Sequence, residues 1–242
     1  MRYGIFSDIH SNLEAFQAVI AAYQKESIDQ YLCIGDVVGY AANPLECIDE
    51  LGHFVEESVA GNHDWASVDL FISEYFNPAA KKAIEWTRLR LDNKGRYFLK
   101  TLKLVYQNKD LTLVHGTLKD PQDFDYMTDG YTALETFKLL KTELCFVGHS
   151  HVAGVFSLDK DDKLNYSQPY HVKIKGNYKY IINVGSVGQP RDGDPRASYC
   201  IYDADKKDIK IKRIDYDIKS AARKIITSGL PQFLAQRLYS GR

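Results

Sequence analysis

The chain lacks a surplus of charge, a long apolar run, a cysteine pair and any tract of biased composition. Its 31 Lys and Arg against 32 Asp and Glu exclude a global field that would recruit long nucleic acid or an anionic membrane surface, so any recognition of an anion must be local. No uninterrupted apolar stretch is long enough to span a bilayer, and the run in MRYGIFSDIH is too short for a signal peptide. A cytoplasmic location is therefore expected. Cys33, Cys47, Cys145 and Cys200 are widely scattered, with no CxxC pair, and three of them lie in apolar strand-like runs. They read as reduced core residues, which argues against a disulfide framework or a zinc knuckle. With no low-complexity linker and no internal repeat, 242 residues are expected to form a single domain over 1–242 with one sizeable core.

What is present is an alternation. RYGIFS reads as a strand, and Leu13, Phe16, Ile20 and Tyr23 recur at helical spacing. YLCIG then predicts a second strand, NPLECIDEL a helix opened by Asn43 and Pro44, and VEESVAG a third strand. That order is the mark of a βαβα sheet. Trp65 to Asn93 reads as helical and rich in aromatics. LKLVYQNKDLTLVHG predicts two strands joined across Asn108, Lys109 and Asp110, and beyond Gly154 the pattern is mostly β until a helical C-terminal stretch. The expected fold is α/β, a mixed αββα sandwich of two sheets flanked by helices.

The polar residues collect where the apolar runs stop. Asp8 and His10 follow YGIFS, Asp36 follows YLCIG, Asn62 and His63 follow SVAG, His115 follows LTLV, and His149 and His151 follow CFVG. Five of the seven histidines are in this set. Ligands of open α/β sheets bind beyond the carboxyl ends of the strands, so these side chains are candidates for one cluster. Each motif alone is also what a strand running into a turn looks like; their conjunction in chain order is what points to metal. Imidazoles and carboxylates suit a transition or zinc-like ion, and Asp36 has two oxygens, enough to bridge two ions. Asp8 and His10, like His149 and His151, stand two apart, so on an extended backbone each pair leaves the same face.

The set Asp8-Ile-His10, Gly35-Asp36, Gly61-Asn62-His63-Asp64, His115-Gly116 and Gly148-His149-Ser-His151 resembles the calcineurin-like metallophosphoesterases over the whole chain. The resemblance implies an αββα sandwich and two divalent metal ions, with manganese the first expectation and iron, zinc, cobalt or nickel also compatible with these ligands. It implies that Asp8, His10, Asp36 and His151 hold the first ion and that Asp36, Asn62, His115 and His149 hold the second. His63 would face the leaving group as a catalytic residue, with Asp64 orienting it. Two such ions outweigh the charge of Asp8 and Asp36, which would draw in phosphate, and in two-metal sites a shared water is activated for in-line attack on phosphorus.

The Asp-Arg pair and the Arg that protein phosphatases of this superfamily carry near the second and third motifs are missing from GDVVGYAANP and AGNHD, which disfavours a protein serine/threonine phosphatase. GDVVGYAANPLECID, NVGSVGQPRDGDPRASY and KIITSGLPQFLAQRL are similar to prokaryotic phosphodiesterases that include asymmetric diadenosine tetraphosphate hydrolases. This implies a small phosphorylated, nucleotide-like substrate, no membrane and no long nucleic acid, with a homodimer as one option for assembly. A general or cyclic-nucleotide phosphodiesterase is an alternative, and so is a noncatalytic scaffold of the same fold, which the complete ligand set disfavours. Arg191 and Arg196 are candidate forks for a second phosphate, although Asp192 and Asp194 stand beside them as possible partners. Trp65 and Phe71 are candidate stacking residues for a base. Asn183, Gly185 and Ser186 follow another strand and either shape the same pocket or simply make a turn, while His53 and His171 read as structural.

Overall fold

A computed structural model describes residues 1–72 and 76–242. Two six-stranded mixed sheets lie face to face between helices. The first runs β3 (Glu57–Ser58), β2 (Gln30–Cys33), β1 (Arg2–Phe6), β11 (Ala197–Asp203), β12 (Asp208–Ile214) and β9 (His171–Lys173). The second runs β4 (Val105–Gln107), β5 (Thr112–Val114), β6 (Leu144–Val147), β10 (Lys179–Asn183), β7 (Gly154–Leu158) and β8 (Leu164–Ser167). β1, β2 and β3 are parallel, as are β5, β6 and β10, and the outer pairings are antiparallel.

The inner strands read as unbroken apolar runs because both of their faces are covered. Successive residues serve different cores: Ile5 enters the layer between the sheets with Leu32, Phe146 and Ile182, whereas Phe6 turns outward onto Phe16, Val19 and Tyr23 of α1 (Leu13–Tyr23). On the far side, Val114, Cys145 and Ile181 pack under α6 (Gly130–Leu139). All four cysteines are free and buried.

Helix starts follow local chemistry. Asn12 caps α1 by accepting from the Ala15 N–H at 3.2 Å, and Pro44 occupies the first turn of α2 (Pro44–Phe54), where its missing N–H costs nothing. The stretch expected to be helical from Trp65 to Asn93 is broken up. It contains the end of α3 (Asn62–Ala66), all of α4 (Pro78–Arg88) and the start of α5 (Asn93–Thr101). Two side-chain caps set the later starts, Asn77 on the Ala80 N–H and Asp92 on the Gly95 N–H. VEESVAG pairs as a strand only over Glu57–Ser58.

The C-terminal stretch forms α7 (Ile218–Thr227), α8 (Gln232–Gln236) and a 3-10 turn over Arg237–Tyr239, packed on Tyr40 and Ala41 from the loop after β2. Among the described residues no helix is long and apolar enough to cross a membrane.

Candidate metal centre

The parallel strands of the two sheets end at one rim, and the polar residues that follow them meet there. Asp8, His10, Asp36 and His151 form one group and Asp36, His115 and His149 a second, each with ligand atoms within 4.8 Å of one another and all buried. Asp36 belongs to both.

The backbone that achieves this is not the extended one expected for the residue pairs two apart. Asp8, His10, Asp36, His149 and His151 all have φ between 50° and 64°, a left-handed conformation that side chains bearing a Cβ adopt at a cost of about 1–3 kcal/mol. They lie beyond the strand ends, so their convergence comes from tight loops, not from the pleat. Those loops are held together by main-chain bonds, Asp8 N–H to Gly35 O at 3.0 Å, His10 N–H to Asp36 O at 2.9 Å and Gly148 N–H to His115 O at 3.0 Å. Close approach also explains two glycines. A Cβ on Gly61 would stand 2.0 Å from Asp36 Oδ1, and one on Gly148 would stand 2.0 Å from Ser7 Oγ and 2.6 Å from Asp8 Oδ2.

The hydrogen bonds around the cluster orient its lone pairs inward. His10 Nδ1 lies 3.1 Å from Val38 O, His115 Nδ1 2.7 Å from Ile34 O and His151 Nδ1 2.6 Å from Gln189 O. A carbonyl oxygen only accepts, so each Nδ1 carries the hydrogen and each neutral ring presents a bare Nε2. The Nε2 atoms of His10 and His151 then face each other at 3.0 Å, and His115 Nε2 faces His149 Nδ1 at 3.1 Å. Such main-chain acceptors behind imidazoles are the usual support of metal-ligating histidines.

The carboxylates are divided in the same way. Asp36 Oδ1 accepts the His63 N–H at 2.9 Å, while Oδ2, without a hydrogen-bond partner, lies 3.5 Å from His10 Nε2 and 3.3 Å from His115 Nε2. Asp8 Oδ2 accepts the His149 N–H at 3.1 Å, and its unpartnered Oδ1 is 3.2 Å from His151 Nε2. Asp36 therefore offers one oxygen, Oδ2, to both groups, where two had been expected. Asn62 Oδ1 and His149 Nε2 are likewise buried and unpartnered. Unpaired buried carboxylate oxygens facing bare imidazole nitrogens are costly by themselves and are satisfied by cations. The donor set fits divalent metal.

Charge follows from the crowding. Burial opposes ionisation of Asp8 and Asp36, yet the imidazoles beside them, His151 and His115 respectively, hold both carboxyls well below the usual range. Burial depresses His10, His149 and His151. His115 goes the other way: burial works against its charge, but Asp36 and then Asp8 raise it to about 9. Burial brings His63 down to about 4 against the pull of Asp36, and Arg191 adds to the depression. The Asp64 carboxyl is raised to about 7 by burial and by the charge of Asp36.

Asp64 is engaged differently from the expectation. Its oxygens accept the main-chain N–H groups of Val38 at 3.1 Å and Gly61 at 3.0 Å, while His63 Nδ1 has no partner. Asp64 ties two site loops together. The His63 ring is held by contacts with Tyr40 at 4.4 Å, His10 at 4.8 Å and Phe76 at 4.8 Å between ring centres.

A cleft of about 410 Å³ opens over this cluster, lined by Tyr40, Asn62, His63, Phe71, Phe124 and Tyr126 among others. Phe71 forms part of its wall, edge-on to Phe124 at 5.2 Å. Trp65 stands edge-on to Phe124 at 5.7 Å and packs against the core cluster outside the first sheet. Of the other aromatics in that stretch, Tyr75 lies outside the described residues.

Arg191 is largely buried next to Tyr40, whereas Arg196 is exposed and paired with Asp194 at 2.7 Å. Asn183 and Ser186 turn inward, Asn183 Nδ2 donating to Gly148 O at 2.7 Å and Ser186 Oγ to Asp8 O at 2.9 Å, so both brace metal-ligand loops. His171, the first residue of β9, pairs with Asp208 of β12.

Sequence reasoning missed Tyr40, Phe124 and Tyr126, whose ring stacks on His149 at 3.8 Å. Tyr40 sits in GDVVGYAANP, where its φ of 56° is a loop property that no periodicity displays.

A domain profile of the calcineurin-like phosphoesterase superfamily matches residues 1–207. The chain belongs to that superfamily, a family of metal-dependent phosphoesterases. It is 39% identical over 242 residues, 98% of this chain and 97% of the other, to an uncharacterized protein of Methanocaldococcus jannaschii. Among solved structures, the metallophosphoesterase from Sphaerobacter thermophilus superposes with a TM-score of 0.88 at 35% identity, covering 100% of this chain and 99% of that one. A hypothetical protein from Pyrococcus horikoshii OT3 shares the fold, with a TM-score of 0.79 at 18% identity over 100% of this chain and 98% of its own.

Proposed function

We propose that the chain, as one domain over 1–242 acting in the cytoplasm, is a two-metal phosphohydrolase of small nucleotide-like phosphodiesters or anhydrides. The observation that carries this reading is the convergence of two buried carboxylate oxygens, Asp8 Oδ1 and Asp36 Oδ2, with the Nε2 atoms of His151 and His115 at 3.2 Å and 3.3 Å. Asp8, His10, Asp36 and His151 would hold one ion, and Asp36, Asn62, His115 and His149 the other, with manganese the first candidate. Bound there, the ions would supply Lewis acidity toward phosphate oxygens and an activated water.

The chain's own groups do the rest. Asp64 keeps the loops after β2 and β3 in register, so that Asp36 Oδ2 and Asn62 Oδ1 stay aimed at the centre. His63 lines the cleft, and its Nδ1 is buried against Gly39 without a partner. A phosphate in the cleft brings negative charge against that imidazole and favours its protonated form, which can then donate to the departing oxygen. Phe71, Phe124 and Tyr126 offer faces and edges for a base. A diadenosine tetraphosphate-like substrate, cleaved to ATP and AMP, is the finer proposal and rests on the motif resemblance.

The test is incubation of manganese-loaded protein with diadenosine tetraphosphate and with bis-p-nitrophenyl phosphate, with metal content measured by plasma mass spectrometry. Uptake of two ions with turnover of both supports the reading. Turnover of the diester alone removes the nucleotide assignment, and neither uptake nor turnover removes the whole reading.

A further inference from the structure

The four histidines of the centre are not supported alike. His10, His115 and His151 each turn Nδ1 to a main-chain carbonyl, of Val38, Ile34 and Gln189, the kind of bond that fixes the tautomer and the plane of a ligating imidazole. His149 has no such acceptor among the described residues. Its Nδ1 faces the group, 3.1 Å from His115 Nε2, and its Nε2 is buried with no partner. What meets its ring instead is Tyr126, whose ring centre lies 3.8 Å away with the two planes 24° apart.

The placing of Tyr126 is built into the loop between β5 and α6. Asp125, just before it, passes so close to Gly116 that a Cβ there would stand 2.5 Å from the Asp125 carbonyl oxygen, and Gly116 directly follows His115. Met127, just after it, is buried beneath α6 with Val114 and Val147. Phe124, left-handed with φ of 53°, is buried against Trp65, Phe71 and, at 6.0 Å, the His115 ring. With its neighbours anchored, Tyr126 is left over His149 with 49% of its surface exposed. Core packing does not account for a tyrosine so exposed.

We infer that Tyr126 is a positioning residue for the second ion: by stacking on His149 it does for that imidazole what a main-chain carbonyl does for the other three. Stacked rings attract beyond the area they bury, and an imidazole that shares its electrons with a cation becomes electron-poor, so the phenol face holds it more firmly. His149 belongs only to the group of Asp36, His115 and His149, whereas His10 and His151 meet Tyr40 and each other. The effect therefore falls on one ion of the two. The inference rests on the two-metal reading of the site, but it is measured without turnover.

The experiment is titration of metal-free protein with manganese alone, read by calorimetry and by plasma mass spectrometry after dialysis. The wild type is expected to take up two ions. Tyr126→Ala is expected to bind one of them about ten-fold or more weakly and the other unchanged, while Tyr126→Phe, which keeps the ring, binds both as the wild type does. Tyr126→Leu repeats the removal with a bulkier side chain, and thermal midpoints check that each variant is folded. In a His149→Ala background, Tyr126→Ala should have no further effect on the ion that remains. Unchanged binding of both ions in the folded alanine and leucine variants overturns the inference and leaves the two-metal reading standing. Equal weakening of both ions also overturns it, since that marks a general loosening of the centre. A wild type that takes up no manganese removes the metal reading and the inference with it.

Discussion

Two charged loop clusters lie close together and are built on opposite rules. In the segment from Asp192 to Arg196 and its neighbour Arg213, each cation meets a carboxylate: Arg196 with Asp194 at 2.7 Å, Arg213 with Asp192. In the metal-ligand cluster Asp8 Oδ1, Asp36 Oδ2, Asn62 Oδ1 and His149 Nε2 are buried without a hydrogen-bond partner, and five ligands sit in left-handed backbone. Paired charges of the first kind hold a loop in place. Unpaired ones, with strain stored beneath them, are affordable only where a ligand completes them. Arg191, immediately before the first segment, differs from both clusters, its Nη2 bonding to Tyr40 OH and Gln189 Oε1.

The sharpest way to break the contrast is Asp36→Ala. It removes the single oxygen shared by both ligand groups, so metal content and bis-p-nitrophenyl phosphate turnover should fall together to background; a variant that kept both would refute the two-metal centre. Next in size, His63→Ala should lower turnover by about 10²–10⁴-fold while metal content persists. Plasma mass spectrometry beside kinetics separates it from a ligand loss.

On the paired side, Asp192→Ala leaves the Arg213 guanidinium buried without its partner and is expected to cost about 3–5 kcal/mol in chemical denaturation. A cost under about 1 kcal/mol would show that water replaces the carboxylate.

A smaller effect is set by His115. Its folded value of about 9 lies above the ordinary 6.5, so its protonation stabilises the metal-free fold fully below about pH 6.5, and this contribution fades as pH rises toward 9. Metal needs the bare ring, so uptake at pH 8 should release about one proton from this site. Calorimetry in two buffers of different ionisation enthalpy reads the release, and identical heats in both would contradict it.

The smallest effect is expected from Arg196→Ala, an exposed pair whose loss should change stability by about 0–1 kcal/mol.

Much of this was legible in the linear order of residues. The apolar runs of β1, β2, β6 and β10 announce strands buried on both faces, and the residues that follow them announce a rim of ligands. The broken helix between Trp65 and Asn93 was less legible, because aromatics at helical spacing satisfied a periodicity while the capping side chains of Asn77 and Asp92 divided the segment. The pairing argument for Asp8 with His10 named two residues that the structure does bring into one group, but by another route. Extended backbone would have put both on one face, whereas positive φ at each does so here.

By itself, the sequence pointed to the two-sheet architecture and to the eight strand-end candidates from Asp8 to His151, because burial periodicity and strand-end chemistry are local properties of consecutive residues. Only the tertiary structure decided that Asp36 turns Oδ2 to the centre while Oδ1 accepts the His63 N–H, that Asp64 braces loops, and that Arg196 is paired with Asp194. Each of those depends on which distant group a side chain meets after folding. Hydrogen bonds and ion pairs satisfy a group only through partners in space, which neighbouring letters do not display.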